Sequence, residues 1–116
     1  MTDLDLPDIQ PDVRLVVSDM DGTLLTEDGA VPDGFWPLLD TMRQRGIHFV
    51  PASGRQFHTL ENLFARVPQG ISYIAENGNL VVHDGLSRAS STFDPARARD
   101  VVVAVRESGR DLGLVV

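Results

Sequence analysis

The sequence predicts an α/β fold built around a Rossmann-like parallel sheet, and three observations predict it. Two apolar, β-branched runs cover residues 13–18 and 47–53, and a third short run covers 71–75. Segments in which apolar residues recur every three or four positions separate these runs. The order is therefore β-α-β-α-β, which is typical of parallel strands joined by right-handed crossovers.

The first strand is the run "VRLVVS" at residues 13–18. It shows little alternation of apolar and polar residues, and so we expect both of its faces to be covered, as in the parallel sheets of α/β proteins. The runs "IHFVPAS" and "ISYIA" are predicted to form the second and third strands.

Two amphipathic helices are predicted to connect these strands. The first begins near Asp33 and stops at Gly46, and the second covers roughly residues 56–66 before Pro68 and Gly70 end it. Their apolar positions have helical spacing: Phe35, Leu38, Leu39 and Met42 in the first helix, and Phe57, Leu60 and Phe64 in the second.

The pattern changes after the third strand. In "ENGNLVVHDGL", residues 76–86, Asn-Gly and Asp-Gly flank an apolar run, which predicts a hairpin. A helix is predicted to start at Asp94-Pro95 and to end at Gly109, and "DLGLVV" at 111–116 is predicted to be a strand.

We expect three segments, with a boundary near residue 85. Residues 1–12 are acidic and carry two prolines, unlike a secretory signal, and so we expect a flexible leader on a cytoplasmic protein. Residues 13–84 make up half of a doubly wound sheet, and residues 85–116 begin something new. Three parallel strands with an open apolar edge are an unfinished architecture, and so we expect an N-terminal fragment of a longer protein.

The composition excludes several classes of function. The net charge of −7 argues against a nucleic-acid partner, because binding to the phosphate backbone needs clustered cations. No apolar stretch is long enough to span a membrane, and so we expect no membrane partner. The absence of cysteine excludes disulfides and thiolate metal sites. All ten basic residues are arginine, which leaves no lysine for any mechanism.

The most informative stretch is "VVSDMDGTLL", residues 16–25. Asp19 ends the strand and Asp21 follows it, so both carboxylates should lie at the carboxyl end of the sheet, where open parallel sheets bind ligands. Carboxylates this close repel unless they share a cation, and Mg²⁺ prefers oxygen ligands. Gly22 permits a sharp turn, and Thr23 adds a hydroxyl and an amide. An ordinary acidic turn is the alternative, whereas the spacing does not fit an EF-hand loop.

Three stretches resemble motifs of the haloacid dehalogenase-like (HAD) phosphatases. "DMDGTLL" at 19–25 is similar to the first motif of that family and "ASGR" at 52–55 to the second. Together with "IAENG" at 74–78 they resemble the Cof-type branch. The resemblance covers about residues 13–110 and implies a partial HAD-like core, followed by the beginning of an inserted α/β cap domain.

The resemblance implies a role for each matching residue. Asp19 would be the nucleophile that forms an aspartyl-phosphate, and Asp21 would be the general acid and then the general base. The Asp19 carboxylate and the Asp21 backbone carbonyl would hold Mg²⁺. Ser53 would hydrogen-bond the transferring phosphoryl group. The other candidates for contact with the substrate are Thr23, Gly54, Arg55 and Asn77.

Three of these residues have a second interpretation. Ser53 is also a favoured N-cap residue for the second helix. Arg55 either binds substrate phosphate or pairs with a surface carboxylate. Asn77 lies in a turn, and the resemblance places it at the rim of the active site.

The resemblance thus predicts a Mg²⁺-dependent phosphatase that hydrolyses small phosphorylated metabolites, with sugar phosphates as the expected class. The family's lysine and its second acidic pair have no counterpart here; we expect both beyond residue 116 and expect the chain alone to be inactive. A phosphosugar mutase of the same superfamily is one alternative. A non-catalytic module that binds metal or phosphate is another. A nucleotide site ranks below these, because no glycine-rich nucleotide motif occurs.

Overall fold

The chain folds around a mixed sheet of five strands in the order β1-β2-β3-β4-β5. The structure, a computed structural model, describes residues 12–67, 69–92 and 94–114. The strands are β1 (Leu15–Asp19), β2 (His48–Ala52), β3 (Ser72–Ala75), β4 (Leu80–His83) and β5 (Leu86–Ser90). The helices are α1 (Phe35–Gln44), α2 (Phe57–Leu63) and α3 (Pro95–Glu107).

The first three strands are parallel neighbours, which confirms the predicted β-α-β-α-β order. Asp19 at the end of β1 lies opposite Ala52 at the end of β2, and Ala52 lies opposite Ile74 of β3. Because parallel strands end at the same edge of a sheet, the segments that follow these three strands meet at one rim. That rim carries the candidate site.

The last two strands form the predicted hairpin. β3, β4 and β5 are antiparallel neighbours, and Asp84 and Gly85 connect β4 to β5. The φ angles of Asp84 and Gly85 are 51° and 72°. Positive φ at both central residues defines the type I′ turn that Asp-Gly favours.

A side-chain hydrogen bond also joins β3 to β4. Ser72 Oγ lies 2.5 Å from Nδ1 of His83, its partner in the register.

Helices α1 and α2 pack on the same face of the sheet. The ring of Phe49 on β2 lies 4.8 Å from that of Phe35 on α1 and 6.0 Å from that of Phe64, which follows α2. Alternate side chains of a strand point to opposite faces, and so both helices lie on the Phe49 face. The buried side chains of this core are Met20, Leu25, Phe35, Leu39, Met42, Phe49, Leu60, Phe64, Ile71, Tyr73, Ala75 and Val82.

Trp36 ties α1 to the end of α2. Its ring centre lies 5.9 Å from that of Phe64 in an edge-to-face arrangement. The guanidinium carbon of Arg66 lies 4.6 Å from the Trp36 ring centre, which is the geometry of a cation–π contact. Trp36 thus packs against the core.

The expectation that both faces of β1 are covered is wrong for the part of the chain that the structure describes. Leu15 and Val17 are 56% and 51% exposed, whereas Val16 between them packs against the core. Both sheet-packing helices lie on the Val16 side, and so the other face of β1 faces solvent. The apolar residues on both faces of β1 therefore indicate that each face is suited to burial. They do not indicate which segment would cover it.

The predicted third helix is confirmed, and the strand predicted after it is not. The Asp94 carboxylate accepts a hydrogen bond of 3.0 Å from the Ala96 amide, and Pro95 occupies the first turn of α3. Residues 111–114 form no strand, because no neighbouring strand supplies a hydrogen-bonding ladder; residues 115 and 116 lie outside the described residues. No helix within the described ranges is long and apolar enough to cross a membrane.

The predicted segment boundaries stay predictions. Residues 1–11 of the expected leader lie outside the described residues. The expected boundary near residue 85 falls at the turn between β4 and β5, and β5 continues the same sheet. Helix α2 ends at Leu63, three residues earlier than the predicted limit of 66.

Candidate active site

The segment after β1 forms a sharp turn that presents Asp19 and Asp21. The φ and ψ angles are −65° and 125° at Asp21 and 77° and 0° at Gly22, which define a type II turn. Position i+2 of this turn requires positive φ, and glycine adopts it without steric cost, as the sequence predicts for Gly22.

Burial on either side of the turn fixes its orientation. Met20 is fully buried, and its carbonyl accepts a hydrogen bond of 3.0 Å from the amide of Leu25, which is also buried. Asp19 and Asp21 flank Met20 and are both exposed. The Thr23 hydroxyl donates to Asp19 Oδ2 across 3.4 Å. The loop is thus anchored by its apolar residues while its two carboxylates face solvent at the rim.

Main-chain hydrogen bonds join the loop after β2 to the loop after β3. The Ser53 amide donates to the Ile74 carbonyl across 2.9 Å, and the Ser53 carbonyl accepts from the Asn77 amide across 3.1 Å. The Glu76 amide donates to the Arg55 carbonyl across 2.9 Å. The two loops therefore form one unit at the rim.

Ser53 caps no helix, and so its interpretation as the N-cap of α2 is wrong. The residue before α2 is Gln56, and no side chain caps that helix. The Ser53 hydroxyl oxygen instead accepts a hydrogen bond of 3.0 Å from the Arg55 amide. Ser53 is only 8% exposed, and its hydroxyl proton is available to donate to a ligand.

Arg55 binds the carboxylate of Asp21 with two parallel hydrogen bonds. Its Nε lies 2.9 Å from Oδ2, and its Nη2 lies 2.6 Å from Oδ1. These bonds lower the pKa of Asp21 and raise the pKa of Arg55, because each stabilises the charged form of its partner. The sequence allows Arg55 to bind either substrate phosphate or a carboxylate. In this structure it binds the Asp21 carboxylate.

Asn77 lies directly against Gly54. A Cβ atom at Gly54 would be only 2.9 Å from Asn77 Oδ1, which is closer than real side chains approach. Glu76 and Asn77 both adopt positive φ, at 53° and 56°, and so the β3–β4 connection turns sharply toward the Ser53 loop.

The structure therefore brings the predicted site residues to one rim. Asp19 contacts Thr23, Asp21 contacts Arg55, and the Ser53 loop contacts Asn77. Two neighbours were not predicted. No sequence pattern indicates that the Glu76 main chain binds Arg55, although Asn77-Gly78 marks a turn there. Gly29, in an Asp-Gly turn, approaches Arg55: a Cβ built on it lies 3.8 Å from Nη2.

The residues present fit a magnesium ion held by few protein atoms. Among the described residues no three His, Cys, Asp or Glu side chains cluster as a metal site. The Asp21 carboxylate is bound to Arg55, which leaves the Asp19 carboxylate and the Asp21 backbone carbonyl as donors. Mg²⁺ is commonly held by one or two carboxylates, with water and substrate phosphate completing its octahedral shell.

The fold and this rim define an α/β protein with paired carboxylates at the carboxyl end of its parallel strands, and comparison with known proteins identifies the family. The sequence profile of the haloacid dehalogenase-like hydrolases matches residues 16–115, and the chain belongs to that family. This is the family that the motifs "DMDGTLL" and "ASGR" resemble.

One enzyme and two solved structures show how similar the chain is to known proteins. The chain is 32% identical over 96 residues to the 5-amino-6-(5-phospho-D-ribitylamino)uracil phosphatase YbjI of Escherichia coli, covering 82% of the chain and 34% of that enzyme. It superposes on BT1666, a HAD phosphatase of Bacteroides thetaiotaomicron, with a TM-score of 0.68 and 25% identity over 89% of the chain and 40% of BT1666. The sugar phosphatase BT4131 of HAD subclass IIB has the same fold, with a TM-score of 0.64 and 22% identity over 84% of the chain and 38% of BT4131.

The chain thus spans little more than a third of the length of these relatives.

Proposed function

We propose that this chain carries the nucleophile and phosphate-binding loops of a Mg²⁺-dependent phosphatase that hydrolyses phosphate monoesters of small metabolites. One observation carries the proposal: Asp19 ends β1 and Asp21 lies on the type II turn that follows it, beside the joined loops that contain Ser53 and Asn77. The substrate of the related Escherichia coli enzyme, as its name states, is a small molecule with a phosphorylated ribityl chain. A sugar phosphate or phosphorylated sugar alcohol is therefore the substrate class that we propose.

The reaction would proceed in two displacement steps. A carboxylate oxygen of Asp19 attacks phosphorus and forms an aspartyl-phosphate, while the bond from phosphorus to the ester oxygen breaks. Asp21 in its protonated form transfers its proton to the departing alkoxide. The Asp21 carboxylate then takes a proton from water as that water attacks the aspartyl-phosphate, which releases phosphate and regenerates both side chains.

The other residues at the rim would orient the phosphoryl group. The Ser53 hydroxyl proton is free to bond a phosphoryl oxygen, because the hydroxyl oxygen already accepts the Arg55 amide. The Thr23 hydroxyl holds Asp19 Oδ2, which leaves Oδ1 for attack. Gly54 and Asn77 form the wall of the site on the β3 side. A Mg²⁺ ion bound by Asp19 would neutralise charge on the phosphoryl oxygens.

We propose that the 116-residue chain has little or no turnover by itself. It contains no lysine, and the loss of a group that stabilises phosphoryl charge commonly costs orders of magnitude in rate. Its relatives are more than twice as long, which leaves room for such groups in a longer protein.

Metal binding tests the proposal on the chain itself. Mn²⁺ is added to the isotopically labelled protein, and paramagnetic broadening of amide signals is measured. We expect broadening centred on Asp19, Asp21 and Thr23, reversal by excess Mg²⁺, and loss of the effect in Asp19→Asn. Asp12→Asn makes the same change of charge at the exposed Asp12–Arg14 pair and serves as the control. Broadening that is uniform over the acidic surface would contradict the proposal.

Hydrolysis is tested on the protein encoded by the whole reading frame that contains this sequence. We expect Mg²⁺-dependent release of phosphate from p-nitrophenyl phosphate and sugar phosphates, and none from Asp19→Asn. Isomerised sugar phosphate instead of free phosphate would identify a mutase.

A non-catalytic module that binds metal or phosphate is the second candidate. The observation that favours it is that Arg55 occupies both oxygens of Asp21, the residue that must transfer protons. Metal binding without any Asp19-dependent hydrolysis by the protein of the whole reading frame would establish this alternative.

A further inference from the structure

We propose that Arg55 is a positioning residue that exchanges partners. In the structure its guanidinium holds both carboxylate oxygens of Asp21; when a phosphorylated ligand binds, the guanidinium transfers to the phosphoryl oxygens and releases the Asp21 carboxylate. This inference rests on the proposed function, because it assigns the released carboxylate to proton transfer.

The main chain of Arg55 is held in place, so the exchange needs only movement of its side chain. The Arg55 amide donates to Ser53 Oγ across 3.0 Å, and the Arg55 carbonyl accepts from the Glu76 amide across 2.9 Å. The residue is thus fixed within the loop that contains Ser53. A guanidinium that leaves Asp21 stays close to any phosphoryl group bound by the Ser53 hydroxyl.

The ion pair is accessible to a competing anion. The side chains of Asp21 and Arg55 are 59% and 30% exposed. Exposed ion pairs are weak, because water solvates both partners well. Phosphate offers the guanidinium the same planar pair of oxygens as a carboxylate and carries more charge, so it can replace Asp21 without a change in the geometry of hydrogen bonding.

Asp21 must be released from Arg55 because the ion pair occupies the carboxylate oxygens that would transfer protons. Each Asp21 oxygen accepts one hydrogen bond from Arg55. An aspartate held in this way has both carboxylate oxygens directed at Arg55. Exchange would therefore make Asp21 available only when a phosphorylated ligand is at the rim.

The test follows the two partners by NMR in the complete 116-residue chain during titration with inorganic phosphate in the presence of Mg²⁺. The Arg55 Nε–H signal and the Asp21 carboxyl carbon signal are measured together. The chain contains a matched control pair, because Nε and Nη2 of Arg14 donate to Asp12 Oδ2 across 3.0 and 2.7 Å. We expect the signals of Arg55 and Asp21 to move together and saturate, while those of Arg14 and Asp12 respond only as they do to sodium chloride.

Three variants separate exchange of partners from a simple change of charge. Asp21→Asn weakens the competitor for the guanidinium, so phosphate should bind several-fold more tightly. Asp12→Asn makes the same change of charge at the control pair and should leave phosphate affinity unchanged. Arg55→Lys keeps the charge but loses the two-pronged geometry, and so phosphate affinity should fall.

Three results would overturn the inference: no phosphate-dependent shift of Arg55, a shift of Arg55 while Asp21 stays unchanged, or equal effects of Asp21→Asn and Asp12→Asn. Asp19→Asn distinguishes this inference from the proposed function, because it removes the nucleophile and leaves the Arg55–Asp21 pair in place. Exchange that persists in Asp19→Asn, together with no hydrolysis by the unsubstituted protein of the whole reading frame, would support the exchange and contradict the catalytic role.

Discussion

The amide oxygen of Asn77 occupies the space that a side chain at Gly54 would need. The distance from Asn77 Oδ1 to a Cβ built on Gly54 is 2.9 Å. The two residues belong to the loops after β3 and β2, which main-chain hydrogen bonds already join. Close packing of Asn77 on a glycine therefore sets the width of the site on this side.

Gly54→Ala is expected to destabilise the protein by roughly 1–3 kcal/mol, the usual range for overpacking, because Asn77 must move. Asn77→Ala removes the contact, so the same change should cost less in that background; urea unfolding of the four proteins of this cycle measures the difference. Gly34→Ala is the control. In the part of the chain that the structure describes, no atom beyond its chain neighbours lies within 4 Å of its built Cβ, and its φ of −67° suits alanine. Equal costs in both backgrounds would contradict a direct contact.

Leu39→Ala is expected to lower the free energy of unfolding by about 2–5 kcal/mol, because the side chain is buried in the core. Leu38→Ala on the same helix should cost within about 0.5 kcal/mol, because that side chain faces solvent. The exposed fractions are 1% for Leu39 and 54% for Leu38. Denaturant unfolding followed by circular dichroism compares the two variants, and similar losses would show that α1 is rotated from the orientation described.

Tyr73 should make the protein less stable as the solution becomes strongly alkaline. Burial, and to a lesser extent the charge of Glu61, raises the pKa of Tyr73 from 10.0 to about 12. Above pH 10 the unfolded chain loses the phenol proton first, so stability is fully present below that pH and declines as pH rises toward 12. The only tyrosine in the chain is Tyr73, and so phenolate absorbance follows it directly.

Tyr73→Phe is the matched variant for this prediction. Because this variant has no phenol, it should lose less stability at alkaline pH than the unsubstituted protein. Glu61→Gln removes a nearby negative charge and should lower the titration midpoint of Tyr73. A midpoint near 10 in the folded protein would contradict the described burial of this ring.

Gly22→Ala is expected to cost roughly 1–2 kcal/mol of stability, the penalty for a left-handed backbone at a residue with a Cβ. Apart from the two chain neighbours, no atom of the described residues lies within 4 Å of the built Cβ, so the cost would come from the backbone alone. Gly22→Asn should cost less, because asparagine is accepted at position i+2 of a type II turn. Equal losses for the two variants, measured by urea unfolding, would show that steric crowding and not the φ angle limits this position.

The features that the sequence predicts well are those set by local steric and hydrogen-bonding rules. Gly22 marks a turn because of its φ, the Asp84-Gly85 pair marks a type I′ hairpin, and Asp94 caps α3 by accepting from the amide of Ala96, two positions further on. The position of Asp19 also follows, since a strand that ends in aspartate places the carboxylate at the rim of a parallel sheet.

The features that the sequence does not predict depend on partners distant in the chain. Arg55 lies 34 positions from Asp21, and a carboxylate and a phosphate satisfy its guanidinium equally well. The exposed face of Leu15 and Val17 is apolar enough for burial, but the described segments supply no cover for it. A strand at residues 111–116 would likewise need a neighbouring strand as its hydrogen-bonding partner, and the local sequence pattern does not show whether one is present.

The contact between Trp36 and Arg66 provides a built-in optical probe. The chain has a single tryptophan, and its indole is packed where α1 meets the end of α2, against Phe64. Intrinsic fluorescence should therefore report the docking of these two helices without any label, and a nearby guanidinium makes its emission sensitive to movement of the Arg66 segment.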